Sequence, residues 1–467
     1  MALADAATNR IAALDSSANY PSAARAWYSV AVLMLAYIFS FIDRQVLNLL
    51  VGPVRRDLHI SDTQMSLLIG FSFALFYALL GLPFGRIADA MNRPRLIAIG
   101  VFTWSLMTGG CGLANSYWQL FLLRMGVGVG EACLSPAAYS LITDSFPPKK
   151  RAMPFSVYTM AIYVGGGMAF LFGALLIRSF GTKEMIAVPI VGLTRAWQVL
   201  FLILGVTGIA FVLVVLTLRD PSRKGARVEQ TVGGATRVER VPLGSVVRYL
   251  LRQGNTFLFL NLGAALVALA AYAATAWDVT FLVRNHQFSA HEAGIFYGIG
   301  GIVFGPLGMF CAGKLSNHFA NKGSRNAYAR VAILATVGAI LPSILYPLLP
   351  NAAAAFAFLS IATFFRCIPT CVIPAAMQEL VPNAMRGQAT AVYLLIVNLI
   401  GLGLGPSAVA LITDRVFHND AAVRYSLLIV MVLAYLLAWL FLTIGRRTYG
   451  ATLDRVDLWL RDNAQNA

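Results

Sequence analysis

The chain has 467 residues, of which 58% are hydrophobic and 12% are charged. A soluble protein of this size carries about twice that charged fraction, so the composition excludes an ordinary soluble domain. The apolar residues fall into blocks of about 20, each long enough to cross about 30 Å of hydrocarbon. The net charge of +16 does not indicate nucleic-acid binding, because Lys and Arg collect in alternate loops between the apolar blocks.

Twelve apolar blocks follow one another in two sets of six. The first set covers 28–51, 64–85, 96–113, 118–146, 153–177 and 196–218. The second set covers 256–283, 292–313, 331–349, 353–380, 388–412 and 425–445. These blocks predict an all-α membrane protein with twelve transmembrane helices in two pseudo-symmetric six-helix bundles.

The loops predict domain boundaries and orientation. We expect one bundle at 28–218 and another at 256–445, joined by the basic central loop 219–255. Most of the 36 Lys and Arg lie on the side of the N-terminus, so the tails 1–27 and 446–467 and the central loop are predicted to be cytoplasmic. The end of that loop, "PLGSVVRYLLRQ", fits an interfacial amphipathic helix.

The first block contains two adjacent charged residues, Asp43 and Arg44. An ionised side chain at the bilayer centre costs roughly 2.5–3.5 kcal/mol on insertion scales. Neighbouring helical residues point about 100° apart, so these two charges do not neutralise each other. Counting about 1.5 Å per residue places Asp43 and Arg124 of the fourth block at nearly the same depth. We therefore expect Asp43 to interact with Arg124, and Arg44 to face a central cavity as a fixed cation.

Buried carboxylates are the candidates for proton coupling. Arg keeps its proton in proteins, and no His lies in the interior of a block, which leaves Asp43 and Glu131. Arg366 in the tenth block is the counterpart of Arg124. With Arg44, these two arginines are candidates for charge pairing or substrate anchoring. A static ion-pair network that fixes packing is the open alternative.

Polar and amphipathic residues inside the blocks are weaker candidates for a cavity lining. They are Asn48, Tyr158, Tyr163, Tyr272, Trp277, Tyr393 and Asn398. Most also fit ordinary packing or the membrane edges, which Tyr and Trp favour. Asp278, near the outer end of the seventh block, fits either an outer gate or a wetted position.

The five cysteines lie in apolar blocks and show neither a disulfide framework nor metal-ligand spacing. They are Cys111, Cys133, Cys311, Cys367 and Cys371. We expect them to be packing residues, and we expect neither a metal nor a cofactor.

Two short stretches relate the halves. "RAMPFSVY" (151–158) opens the fifth block, and "RGQATAVY" (386–393) opens the eleventh with the same Arg-to-Val-Tyr spacing. Two related halves favour a site at the midplane between them that opens alternately to each side.

The stretch "GRIADAMNRPR" places Gly85, Asp89 and Arg93 on one helical face. It resembles the signature loop of the major facilitator superfamily. The resemblance implies the fold of that family. It also implies a cytoplasmic latch in which these three residues act with Asp144, the acid at the end of the fourth block.

The fourth block, "LLRMGVGVGEACLSPAAYSLITDSFPP", contains Gly126, Gly128 and Gly130, which predict close helix packing. Together with the Asp-Arg pair of the first block, it resembles the spinster branch of the superfamily, bacterial type. That resemblance implies transport of lysophospholipids or sphingoid lipids with proton coupling. The organic anion:cation symporters, a sister group, share the Asp-Arg pair and a Glu in the fourth block, and move sugar acids and other carboxylates.

The leading hypothesis is a proton-coupled secondary active transporter of an amphipathic or anionic organic solute, lysolipid- or sphingolipid-like, that works by alternating access. The alternatives are a proton symporter of small organic anions such as sugar acids, and a membrane ligand sensor that does not transport. An enzyme is not expected, because the sequence shows no metal cluster, nucleophile elbow or phosphate loop. The expected partners are a small-molecule or lipid substrate, protons and membrane lipids. The chain is expected to be a monomer in the plasma membrane, the inner membrane of a bacterium.

Overall fold

The computed structural model describes residues 20–147, 150–180, 185–189, 191–223, 228–230, 236–238, 243–382 and 385–465. Within these ranges, twelve long helical segments run back and forth, and we number them spans 1 to 12 in chain order. Eleven of them are long enough and apolar enough to cross a membrane, judged by length and composition only. The remaining one, span 3, begins with Arg-Pro-Arg and carries several Gly, Ser and Thr, which lowers its apolar character.

The first half contains spans 1 to 6. Four are single helices: Ala23–Leu49 (span 1), Arg93–Cys111 (span 3), Ala152–Phe180 (span 5) and Ala196–Val215 (span 6). Span 2 consists of Asp62–Ser66, a π-helical stretch Leu67–Phe71, and Ser72–Ala90. Span 4 consists of Tyr117–Glu131 and Leu134–Ser145, so the single helix predicted over 118–146 is interrupted directly after Glu131.

The second half contains spans 7 to 12. Five are single helices: Asn255–His286 (span 7), Ala290–Asn321 (span 8), Ala327–Leu348 (span 9), Ala352–Glu379 (span 10) and Val423–Arg447 (span 12). Span 11 runs through Arg386–Val397, a π-helical stretch Asn398–Leu402, Gly403–Ile412 and a second π-helical stretch Thr413–Phe417.

Short elements connect the spans. Helices Val51–Leu58, Leu243–Arg252 and Tyr449–Gln465 and a 3₁₀ turn Asp420–Ala422 lie outside them. Two hairpins, Met185–Val188 with Gly192–Arg195 and Val228–Gln230 with Thr236–Val238, were not predicted from the sequence. Helix Leu243–Arg252 lies where "PLGSVVRYLLRQ" predicted one. The predicted tail 446–467 is largely helical.

Spans 2 and 8 begin in the same way. Ser61 and Ser289 each accept a hydrogen bond from the backbone of Gln64 and Glu292, whose side chains bond back to the serine backbone. This reciprocal capping box satisfies two backbone donors at once. Each serine follows, by two positions, a residue in the left-handed region: His59 (φ 51°) and Gln287 (φ 57°). Equivalent spans therefore share local geometry that supports related halves.

Span 1 begins, span 6 ends, span 7 begins and span 12 ends on the same face of the bundle. Tyr28 at the start of span 1 is 2.5 Å from Thr217 after span 6. Thr256 at the start of span 7 is 2.6 Å from Thr448 after span 12. We call this the proximal face and the opposite one the distal face. Which face meets the cytoplasm stays a prediction, as do the domain boundaries.

The halves meet through spans 1 and 7, 2 and 11, and 5 and 8. These contacts need small residues. A Cβ at Gly70 in span 2 would lie 2.3 Å from the Leu402 carbonyl oxygen in span 11. A Cβ at Gly167 in span 5 would lie 2.8 Å from the Gly298 carbonyl oxygen in span 8. Backbone therefore packs against backbone where the halves touch.

Candidate functional site

A buried ion pair joins spans 1 and 4. Arg44 Nη2 donates to Glu131 Oε2 at 2.6 Å, and the exposed side-chain fractions are 4% and 0%. Ser40 Oγ donates to the same carboxylate oxygen at 2.6 Å. Ser40 and Arg44 lie one helical turn apart on one face of span 1, so both reach the same acceptor. Glu131 is the last residue before the break in span 4, at the junction of its two helices.

Aromatic rings surround the Arg44 guanidinium. Its central carbon lies 4.3 Å from the ring centroid of Phe73, and 4.8 Å from the centroids of Phe41 and Tyr77. Such contacts attract a cation to the ring face and strengthen as water is excluded. Arg44 is therefore held as a cation by one carboxylate and three rings.

Asp43 is buried with few partners. Its Oδ2 accepts a hydrogen bond from Thr108 Oγ1 at 3.2 Å, and its Oδ1 has no hydrogen-bond partner among the described residues. Arg124 Nη1 donates to the backbone carbonyl of Asp43 at 3.1 Å, and its Nε donates to the Leu68 carbonyl at 3.4 Å. The predicted contact of Asp43 with Arg124 thus exists only through the backbone. Equal depth did not fix how span 4 is rotated, and the Arg124 guanidinium meets main-chain oxygens instead of the carboxylate.

The second half contains an ion pair that the sequence reasoning missed. Asp278 Oδ2 lies 3.3 Å from Arg366 Nη1, and Asp278 Oδ1 accepts from the Tyr346 hydroxyl at 2.7 Å. Asp278 is fully buried. The wetted position considered for Asp278 is therefore wrong, and Arg366 has an acidic partner that the sequence analysis did not identify. Aligning span 7 with span 1 signals this acid, since both spans carry an Asp in their distal third.

A cavity of about 10 Å³, room for about one water, lies between the halves. Arg44 and Asn48 line it from span 1, and Tyr272 and Thr275 from span 7. Leu402 of span 11 contributes another wall. The predicted position of Arg44 toward a central cavity therefore agrees with the structure, although its guanidinium also pairs with Glu131.

Other predicted lining residues lie elsewhere. Tyr158 is fully buried and stacks on Tyr37 in the first half. Trp277 donates to the Pro406 carbonyl at 2.9 Å and is also fully buried. Tyr163 bridges the halves through Thr370 Oγ1 at 2.6 Å. The remaining two, Tyr393 and Asn398, are buried in span 11 and do not line this cavity.

The proposed latch is present in part. Arg93 is fully buried, and it contacts the Asp144 carboxylate and bonds to Asp220 Oδ1 at 2.6 Å. These bonds tie the start of span 3 to the end of span 4 and to the chain that follows span 6, so they lie within the first half and its exit. The Asp89 side chain lies outside the described residues. Gly85 lies within span 2, with open space where a Cβ would be. The action of this group as a latch between halves stays a prediction.

Ion pairs join the halves at the distal face. Arg284 after the cavity-lining part of span 7 binds both carboxylate oxygens of Asp62 at 2.7 and 2.8 Å. Arg55 lies 3.0 Å from Asp62 and 2.7 Å from Asp420. We call Arg55, Asp62, Arg284 and Asp420 the distal lock. The carboxylates of Asp62, Asp414 and Asp420 lie close enough together for a cation, but the arginines already bind Asp62 and Asp420.

The distal lock was not predicted. Its partners are far apart in sequence, as with Asp62 and Arg284, and belong to short loops and helix ends. The only available signal was the capping pattern of span 2, which places Asp62 at a helix N-terminus.

Comparison with known proteins assigns the family. Residues 33–406 match the model of the Major Facilitator Superfamily. The chain belongs to this superfamily.

Individual members of the Major Facilitator Superfamily align over nearly the whole chain. A crystal structure of a bacterial homologue of the human lysosomal transporter spinster, inward-facing and unoccupied, is 30% identical with a TM-score of 0.73. The match covers 93% of this chain and 98% of that one. An MFS-type efflux pump of Mycolicibacterium smegmatis is 29% identical over 88% of this chain and 90% of its own length. The hexuronate transporter of Bacillus subtilis is 23% identical over 83% of this chain and 87% of its own length.

These findings confirm the predicted family and fold. The chain is a spinster-like transporter of the Major Facilitator Superfamily with twelve spans, and this family consists of transporters rather than enzymes. It is a multi-pass membrane protein, consistent with the inner membrane of a bacterium.

Proposed function

We propose that this transporter couples protons to the movement of an amphipathic anionic solute, lysolipid- or sphingoid-lipid-like, by alternating access. The observation that carries the proposal is the pairing of Arg44 with Glu131 beside a cavity shared by both halves, with Asp43 one position away. Acidic and basic residues inside a membrane span mark substrate and ion pathways by default.

Arg44 links substrate to Glu131. An anionic headgroup that enters the cavity competes with Glu131 for the guanidinium. A carboxylate that loses its counter-charge in the interior is stabilised by a proton. Substrate binding at Arg44 and protonation of Glu131 therefore favour each other.

Asp43 is the second proton carrier in this scheme. Within the described part of the chain, its carboxylate has one hydroxyl partner and one oxygen without a partner. Protonation of Asp43 breaks no hydrogen bond from a cation to its carboxylate, because Arg124 donates to backbone oxygens instead. A proton that enters or leaves Asp43 changes the charge of span 1 next to the site.

The surroundings of Arg44 support an amphipathic substrate. The rings of Phe41, Phe73 and Tyr77 offer apolar surface next to one fixed cation. A headgroup on Arg44 and an acyl chain along the rings would satisfy both features. The resemblance of the sequence to the spinster branch implies the same class of substrate.

Proton-driven uptake into liposomes tests the proposal. Purified protein is reconstituted, a pH gradient is imposed, and uptake of fluorescent lysophosphatidylglycerol is followed by albumin back-extraction. We expect Asp43→Asn to remove the pH dependence and Glu131→Gln to lower the rate at least about tenfold, a change of about 1.4 kcal/mol. Asp454→Asn is the matched control, because Asp454 forms an exposed surface pair with Arg325. Full pH-dependent uptake by Asp43→Asn would show that Asp43 is not the switch.

Small organic anions are the second candidate substrate. The cavity is small, and Arg44, Gln45 and Asn48 give it polar walls, and the hexuronate transporter is a relative. Labelled glucuronate in the same liposomes separates the two classes. Uptake of glucuronate without lysolipid would favour the anion symporter, and binding without counterflow of either would indicate a ligand sensor.

A further inference from the structure

The helix Leu243–Arg252, which we call the linker helix, packs on the second half with one side. Val246 is fully buried, and Tyr249 and Leu250 pack against the same apolar cluster. The Tyr249 hydroxyl donates to the carbonyl oxygen of Leu380, directly after span 10, at 3.3 Å. The linker helix is thereby attached to the proximal end of the second half.

The other two sides of the linker helix are exposed and differ in chemistry. Val247 and Leu251, one turn apart, are 38% and 75% exposed. Arg248 and Arg252, also one turn apart, are exposed as well. At about 100° per residue, the protein-facing side, the apolar edge and the basic edge are spaced roughly 120° apart around the helix. A helix with a protein-facing side, an apolar edge and a basic edge suits a place where protein, hydrocarbon and headgroups meet.

The linker helix lies at the level of the bundle where hydrocarbon and headgroups meet. Span 7 begins at Asn255, three residues after the helix ends. Leu258 in the first turn of span 7 is 55% exposed, so the lipid-facing surface of the bundle begins there. The helix contains no Asp or Glu. Burial raises the pKa of Tyr249, while Gln253 and the nearby positive charge of Arg455 lower it in part.

We propose that the linker helix is a binding site for anionic phospholipid headgroups of the surrounding leaflet, with Arg248 and Arg252 as the headgroup ligands and Val247 and Leu251 inserted among the acyl chains. Arginines near an anionic membrane surface each contribute a favourable interaction. A free anion has no apolar part to cover the second edge, so the combination of edges selects a lipid. Because Tyr249 bonds to the end of span 10, lipid bound here stabilises the second half. This site is separate from the transport cavity.

Lipid titration of the full-length protein in detergent tests the site. Phosphatidylglycerol and phosphatidylcholine are added at equal mole fractions, and thermal unfolding is followed by tryptophan fluorescence. Native mass spectrometry measures lipid affinity in parallel. We expect phosphatidylglycerol to raise the midpoint more than phosphatidylcholine, because a ligand of the folded state stabilises it. Arg248→Gln/Arg252→Gln should abolish this difference and weaken phosphatidylglycerol binding about fivefold for each arginine, from about 1 kcal/mol each.

The control carries the same change in charge on the distal face. Arg178 and Arg415 are both exposed there, and Arg178→Gln/Arg415→Gln should keep the full response to phosphatidylglycerol. Inorganic phosphate at the same anion concentration should produce no shift. The proposal is overturned if the linker-helix variant keeps the phosphatidylglycerol response, if the control loses it equally, or if phosphate alone reproduces it. None of these outcomes depends on transport, so the result is independent of the proposed function.

Discussion

Two buried aspartates in equivalent spans have different partners. Asp43 in span 1 has Thr108, while Arg124 binds its backbone. Asp278 in span 7 pairs with Arg366. A buried pair is stable only while both members are present. Neutralising Asp278 would leave Arg366 as an uncompensated buried cation, whereas neutralising Asp43 would not strand an ion partner. This contrast supports a structural role for Asp278 and a titrating role for Asp43.

Removal of the Asp278 charge should destabilise the second half. We expect Asp278→Asn to lower the free energy of unfolding by about 3–5 kcal/mol, because Arg366 remains buried without its partner. Asp278→Leu/Arg366→Met should recover most of this loss, since an apolar pair of similar volume replaces both charges. Denaturant unfolding in detergent measures both. Wild-type stability of Asp278→Asn, or a double variant no better than the single one, would contradict the structural role.

Spans pack closely where the sequence supplies glycine. In span 4, an added Cβ would lie 2.7 Å from Met107 at Gly126, 2.6 Å from the Phe73 carbonyl oxygen at Gly128, and 2.6 Å from the Trp104 nitrogen at Gly130. The close packing predicted for these glycines is therefore confirmed. Glycine also permits close packing between the halves, where span 5 approaches span 8 at Gly167.

Adjacent glycines of span 5 provide a matched test. A Cβ at Gly167 would meet Ile302 at 2.3 Å and the Gly298 carbonyl oxygen at 2.8 Å, whereas a Cβ at Gly166 would have no described atom within 4 Å. We expect Gly167→Ala to cost about 1–3 kcal/mol of stability through overpacking. Gly166→Ala should be neutral or stabilise by up to about 1 kcal/mol, because Ala favours the helix. Unfolding midpoints in detergent distinguish them, and equal effects of the two substitutions would refute the contact.

The whole molecule is held closed at its distal face. The distal lock connects span 2 to span 7 and to the loop before span 12 across the two halves. Below it, Ser66 of span 2 lies 3.2 Å from Ser407 of span 11. Opening of the distal face therefore requires the bonds between Asp62 and Arg284 to break.

Loss of Arg284 should expose the interface under the lock. We expect Arg284→Gln to speed labelling of a cysteine at Ser66→Cys by a water-soluble maleimide at least about tenfold, which corresponds to about 1.4 kcal/mol. The background replaces the five native cysteines by Ala. Arg195→Gln is the control, because Arg195 pairs with Asp57 within the first half at 3.6 Å. Equal acceleration by Arg195→Gln would mean that the lock does not hold the halves together.

Hydropathy and local sequence pattern were sufficient to predict the twelve-span architecture. A block of about 20 apolar residues must span the bilayer as a helix whatever its neighbours are, because unpaired backbone groups are too costly in lipid. The twelve spans and the close-packed glycines follow from properties local to one or two segments. The contact of Arg93 with Asp144 was implied by the resemblance to the major facilitator superfamily. For the same reason the buried charges in spans 1 and 4 were visible as candidates.

Only the tertiary structure decided the partners of those charges. Depth along a helix can be counted from the sequence, but rotation about its axis depends on how all neighbouring helices pack. Because of that rotation, Arg44 pairs with Glu131. The Asp43 carboxylate contacts Thr108 instead of Arg124, and Asp278 pairs with Arg366. The distal lock was harder still to predict, because Asp62 and Arg284 lie in different halves and come together only when the two bundles pack against each other. The sequence by itself thus determined which residues are costly to bury, and the packing of the bundles determined what compensates each of them.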